Sequence, residues 1–264
     1  MDLSLTNRTA LVTGGSLGLG KAMATAFYQA GARVALLARR EDVLKEAVAE
    51  IEALPNTAEG ARVAGFACDV ADAASIKQVH GAVVAELGDV DILVNNAGKS
   101  AARPFTEISD EQWQEDLDLK LLAAIRLSRL VWPHMQTQRW GRIINVLNVF
   151  AKAPDARTAP TSVTRAAGMA LTKVMAGEGA EHNILVNALL IGFIKSDQIR
   201  RQHEASGQNV SLDAFVAKAG ERLPMKRMGE AEECANLAPF LASNASSYVT
   251  GCAINMDGGL SKVV

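Results

Sequence analysis

Seven short runs of β-branched and leucine-rich residues recur along this chain, and every gap between them is long enough to hold a helix. The runs are Thr9–Thr13, Arg33–Leu37, Arg62–Ala67, Asp91–Asn95, Arg142–Leu147, Leu185–Leu189 and Ala253–Met256. Between them lie stretches of mixed polarity such as Gly18–Ala30, Arg40–Leu54 and Ala73–Leu87. Strands that alternate with helices predict an α/β fold, a parallel sheet covered on both faces and wound by right-handed crossovers. The apolar fraction, 49%, leans on Ala, Leu and Val, which suits helices packed on a parallel sheet. With 21% charged residues it also excludes a disordered or collagen-like chain. No Pro/Ser-rich linker or internal repeat divides the chain, so residues 1–264 read as one domain.

The longest break in the rhythm is 195–228, between the sixth and seventh runs, with two short helical patterns around a polar Gly207–Asn209 hinge. Ligands of open α/β sheets bind beyond the carboxyl ends of the strands, so an insertion there reads as a substrate lid, with an oligomer contact as the alternative.

Charge and special residues narrow the chemistry. A net charge of −2 gives no general attraction to nucleic acid or acidic membranes. No apolar run reaches the ~18 residues of a membrane span, and MDLSLTNRTALVTGG does not read as a secretion signal. Cys68, Cys234 and Cys252 form no CxxC pair and read as thiols of a reducing cytoplasm. His80, His134, His182 and His203 lie far apart, so no metal site is expected.

Directly after the first run comes Thr13-Gly14-Gly15-Ser16-Leu17-Gly18-Leu19-Gly20, opening into a helical stretch. Glycines allow a sharp turn and the close approach of a pyrophosphate to backbone N–H groups at a helix N-terminus, where the dipole favours anions. The spacing Gly14-x3-Gly18-x-Gly20 resembles that of the short-chain dehydrogenase/reductase family. Cys68-Asp69-Val70, Asn95-Asn96-Ala97-Gly98, Pro224-Met225-Lys226-Arg227 and the Gly251–Gly259 segment match that family's later motifs in order. The resemblance covers essentially the whole chain. It implies a single Rossmann-type, doubly wound domain and a cofactor site built from Gly14, Ser16, Leu17, Gly18, Leu19, Gly20, Asp69, Val70, Asn95, Ala97 and Gly98. It also implies a homo-oligomer, a tetramer, contacting through the fourth and fifth helices and the last strand. After the sixth run the family's Pro-Gly becomes Ile191-Gly192; Gly192, Ile194 and Ser196 would still line the cofactor.

The end of the second run selects the cofactor. An NAD enzyme places a carboxylate there, whereas a 2′-phosphate needs a cation. The residues are Ala38-Arg39-Arg40, so NADP is expected ahead of NAD, with Arg39 and Arg40 at the phosphate.

The resemblance implies four catalytic residues, Asn, Ser, Tyr and Lys, and at the aligned positions this chain has Lys120, Asn148, Thr161 and Arg165. Thr161 lacks the phenol whose pKa of about 10 a neighbouring cation can depress. Arg165, one helical turn later, can hold a ribose or an anion but cannot serve as a base. Asn148 can donate a hydrogen bond to a reacting oxygen. Lys120 is the expected proton handler, with bound water as the alternative, and Lys99 and Lys152 read as solvated amines unless they join it. These residues leave three functions open. They are an NADP-dependent oxidoreductase of a carbonyl or alcohol with non-standard residues, a non-redox lyase, aldolase or dehydratase on the same scaffold, and a catalytically silent NADP-binding protein. In the first two the partner is a small-molecule substrate.

Overall fold

The strands of the computed structural model, which describes residues 1–55 and 59–264 without the side chains of 197 and 198, fall where the sequence rhythm places them. They are β1 Thr9–Thr13, β2 Arg33–Ala38, β3 Arg62–Ala67, β4 Ile92–Asn95, β5 Gly141–Asn148, β6 Ile184–Ile191 and β7 Ala253–Met256. All pair in parallel in the order β3-β2-β1-β4-β5-β6-β7. The helices are α1 Gly18–Gln29, α2 Glu41–Glu52, α3 Ala73–Leu87, α4 Asp110–Leu117, α5 Ala123–Gln138, α6 Thr161–Gly179, α7 Asp197–Ser206, α8 Leu212–Gly220, α9 Ala231–Ala235 and α10 Leu237–Ala242.

Strand periodicity sorts the core into two layers. Ala10 and Val12 of β1, Val34 and Leu36 of β2, and Ile144 and Val146 of β5 pack with Met23 and Phe27 of α1 and Leu241 of α10. Their neighbours Leu11, Ala35, Leu37 and Ile143 point the other way, against Val83 of α3 and Leu127 and Val131 of α5. Successive side chains of a strand face opposite sides of the sheet, so a run that is apolar throughout demands helices on both sides.

Three strands, β2, β5 and β6, run longer than the apolar pattern suggests. β5 and β6 stay paired from Gly141↔Ile184 to Asn148↔Ile191, which carries Asn148 to the carboxyl end of the sheet. The fourth strand begins one residue later than expected, and the Asp91 side chain just before it accepts the Thr9 N–H at 2.9 Å.

The strand order reverses direction between β1 and β4, the point where open α/β sheets bind ligands. The glycine turn leaves β1 there, and Asn96-Ala97-Gly98 leaves β4 beside it. Between β4 and β5 the chain does not run as one helix. A five-residue π-helical turn, Asp118–Leu122, joins α4 to α5 and carries Lys120. Such turns are frequent at functional sites. No helix among the described residues is long and apolar enough to cross a membrane.

Candidate active site

At the glycine turn the backbone adopts the left-handed conformation twice, with φ of +63° at Gly14 and +52° at Gly18. Gly20 is required for a different reason, since a Cβ there would sit 2.2 Å from the Gly14 carbonyl oxygen. Asn96 Nδ2 donates to the carbonyls of Thr13 and Gly14 at 2.9 and 3.3 Å, while Thr13 Oγ1 accepts the N–H groups of Asn96 and Ala97, both at 2.9 Å. The turn is thereby fastened to the end of β4. Helix α1 starts at Gly18 with no side-chain cap and no acid in its first turn, so its positive end is uncompensated. A Cβ on Gly18 would meet only Ser196, at 3.9 Å, which leaves open space between the helix start and the residue preceding α7. That cradle fits a dinucleotide pyrophosphate. Arg39 and Arg40 are exposed at the end of β2, and the Ala38 carbonyl accepts Cys68 N–H at 2.9 Å, which brings the exposed Asp69 to the same end of the sheet. Val70 is buried beneath it. Ser16 is buried in the turn, and Leu17 and Leu19 are half-buried on either side of Gly18.

The second half of the site is a buried polar cluster. Lys120, whose side chain reaches no solvent, forms an ion pair with Asp116 one turn earlier and donates to Thr161 Oγ1 at 2.9 Å. Thr164 Oγ1 donates to the other oxygen of Asp116 at 2.7 Å. Thr161 Oγ1 also accepts the Ala101 N–H, at 3.0 Å. Both acceptor positions of that hydroxyl are therefore filled, and its own proton is what it has left to give. Burial pushes the Lys120 ammonium down to about 8; its hydrogen bond to the Asp116 carboxylate opposes that fall, and the charges of Arg165 and Lys99 add to it.

Arg165 lies one turn beyond Thr161 on α6. Its Nη1 donates to the Val146 carbonyl at 2.8 Å, and its Nη2 lies against Gly98, where a Cβ would approach it to 2.3 Å. Burial lowers the guanidinium to about 10, which leaves it charged at neutral pH. Asn148 ends β5 with its Oδ1 buried and without a hydrogen-bond partner among the described residues. Lys120, Thr161 and Arg165 are thus gathered in one cluster.

Residues 14–261 match the family described as enoyl-(acyl carrier protein) reductase, a branch of the short-chain dehydrogenases and reductases. The chain belongs to the short-chain dehydrogenase/reductase family. Among its relatives is the uncharacterized oxidoreductase YvrD of Bacillus subtilis, 33% identical over 98% of both chains. The crystal structure of L-sorbose reductase from Gluconobacter frateurii, complexed with NADPH and L-sorbose, superposes with a TM-score of 0.93 at 34% identity over the whole of both chains. An NADPH-bound short-chain oxidoreductase from Pseudomonas aeruginosa PAO1, described as containing an atypical catalytic center, superposes with a TM-score of 0.90 at 35% identity over 99% of both chains.

Within this family frame, several residues sit differently from a surface or cofactor-facing reading. Asn95 is buried, and its Nδ2 donates to Asn145 Oδ1 at 2.9 Å, part of a polar thread that continues to Thr172. Lys152 is not a free amine, because its Nζ donates to the Ala253 carbonyl and Asn255 Oδ1 at 3.1 and 3.0 Å, tying the loop after β5 to β7. Lys99 is exposed. Gly192 lets the Asp257 backbone pass, since a Cβ there would lie 2.7 Å from Asp257 Cα, and Ile194 bridges to Gly229.

Sequence reasoning missed Asp116 and Thr164, and it read Asn96 as part of a motif without assigning it the bonds that fasten the glycine turn. Asp116 carried a usable signal, a carboxylate four residues before a lysine on a helix. The bond from Thr164 joins residues 48 apart in the chain, and no local pattern announces it.

Proposed function

We propose that this protein is an NADP(H)-dependent oxidoreductase that interconverts a small carbonyl compound and its alcohol, with a relay of Lys120 and Thr161 in place of the family's tyrosine. One observation carries the reading. The Lys120 side chain has no solvent contact, so a proton leaves it only through a bonded neighbour, and of Asp116 and Thr161 only Thr161 has a proton to pass on.

The glycine turn, α1 and Ser196 would hold the pyrophosphate, with Arg39 and Arg40 at the 2′-phosphate and Asp69 at the adenine end. Reduced NADP supplies a hydride to the carbonyl carbon when bound. On the protein side, Asn148 donates its amide N–H to the carbonyl oxygen and Thr161 gives that oxygen its proton. Lys120 replaces the proton on Thr161 Oγ1 in the same event, so no free alkoxide has to form on a threonine. Atoms and charge balance, with the carbonyl gaining a hydride and a proton and Lys120 ending neutral. Arg165, fixed between Val146 and Gly98, orients the ribose or the substrate. The NADPH-bound relative with an atypical catalytic centre supports redox chemistry without the usual residues.

The segment 195–228 serves as the substrate lid. It holds α7 and α8 and is anchored by the Lys195 N–H bond to the Gly229 carbonyl at 2.9 Å. The assembly is a homotetramer, supported by Val163 and Val174 on α6, which are 52% and 58% exposed. Unpaired Cys68, Cys234 and Cys252 suit a cytoplasmic protein.

The test is a titration with NADPH and NADP followed by a panel of carbonyls and alcohols monitored at the reduced-nicotinamide absorbance. Binding with turnover supports the reading. Substrate consumed without nicotinamide oxidation favours a lyase, and binding alone leaves a silent nucleotide-binding protein.

A further inference from the structure

We propose that Asp116 is the positioning residue of this site, a buried carboxylate that holds the Lys120 ammonium against Thr161 while Thr164 holds the carboxylate. The inference rests on the relay described above and adds a residue that touches neither substrate nor cofactor. Three elements meet at the cluster. Asp116 comes from the last turn of α4, Lys120 from the π-helical turn and Thr161 and Thr164 from the first turn of α6. Asp116 is 3% exposed and both its oxygens are engaged, one by Lys120 and one by Thr164. A lysine has three rotatable donors on a flexible stem, so without a fixed acceptor its ammonium has no single direction. The carboxylate supplies that direction, and the donor to Thr161 falls into line at 2.9 Å.

The carboxylate also keeps the amine charged. The charged groups facing Lys120 are Asp116 on α4, Arg165 on α6 and Lys99 after β4, and only the first favours the ammonium. Burial works against it as well. With Asp116 neutral, every remaining influence drives the proton off Lys120.

The experiment uses the full chain with 13C-labelled lysine and follows the Lys120 ε-carbon through a pH titration, beside the pH profile of kcat and the Kd for NADPH. In the parent the Lys120 midpoint lies at about 8. In Asp116→Asn the midpoint falls by at least about one pH unit, the alkaline fall of carbonyl reduction moves with it, and NADPH Kd stays within about twofold. Asp116→Glu, which restores the charge, brings the midpoint back towards the parent. An unmoved midpoint in a folded Asp116→Asn protein overturns the proposal. Should Asp116→Asn not fold, Asp116→Glu carries the test alone. A kcat lowered about tenfold with unchanged NADPH Kd supports positioning, and an unchanged kcat overturns it. If no carbonyl is turned over by the parent while the Asp116→Asn midpoint still falls, the role of Asp116 stands and the reductase reading fails. If turnover is brisk and the midpoint stays put, the reverse holds.

Discussion

Lys120 is the residue on which the proposed proton chemistry turns. The sequence places a lysine at the aligned asparagine position, but not its complete loss of solvent contact or its hydrogen bond to Thr161. Those depend on α6 docking against α4, which a local pattern does not encode. The sign of the pH dependence follows from the lowered lysine. In the proposed relay Lys120 carries, below about 8, the proton that reduction consumes, so carbonyl reduction should hold steady there and fall as pH rises through that value. Alcohol oxidation needs the neutral amine as acceptor and rises over the same interval, and steady-state rates in both directions from pH 6 to 10 check the opposed trends. A second residue-scale prediction concerns cofactor choice. Arg39 stands exposed at the end of β2 beside Ala38, where an NAD enzyme has an acid. A charge-assisted contact is worth ~1.5–3 kcal/mol, so NADPH should bind at least about tenfold tighter than NADH, and Arg39→Ala should remove that preference. Fluorescence titration of both cofactors against both proteins measures it.

Elements were the most legible level. An apolar run covered on both faces has little choice but a central parallel strand, and β1, β3 and β7 begin and end as the pattern indicates. The region between β4 and β5 was less legible, because helical periodicity does not reveal where a π-helical turn inserts a residue. That turn creates an energetic vulnerability. Removing one member of a buried ion pair strands the other, at a cost of about 3–5 kcal/mol, whereas an apolar replacement of both is often neutral. Asp116→Leu and Lys120→Met should each lower stability by roughly that amount, and the double variant should recover most of the loss while remaining catalytically impaired. Urea unfolding of the three variants supplies the cycle. The segment Asn96-Ala97-Gly98 after β4 is a second such element. Gly98→Ala would place a Cβ within 2.3 Å of Arg165 Nη2, so the guanidinium must shift from the position its bond to Val146 holds, and cofactor or substrate affinity should fall while α6 stays folded.

At the scale of the whole molecule, the parallel sheet gathers the carboxyl ends of β1 to β6 at one end, and the proposed site residues come from those strand ends, the loops after them or the helices they lead into. The opposite surface of α6 offers Val163 and Val174 to solvent, and a tetramer that covers them should appear by light scattering at micromolar concentration; a monomer would remove that part of the account. The central claim is that Thr161, fed by Lys120, delivers the proton that accompanies hydride transfer. It is tested most directly by comparing NADPH oxidation by the parent, Thr161→Val and Thr161→Ser on a reducible carbonyl, with NADPH Kd measured for each. General acid assistance contributes ~10²–10⁴-fold, so Thr161→Val should lose turnover by about that factor while Thr161→Ser keeps most of it and all three bind NADPH alike. Turnover by Thr161→Val equal to the parent's would contradict the claim and leave bound water as the proton source.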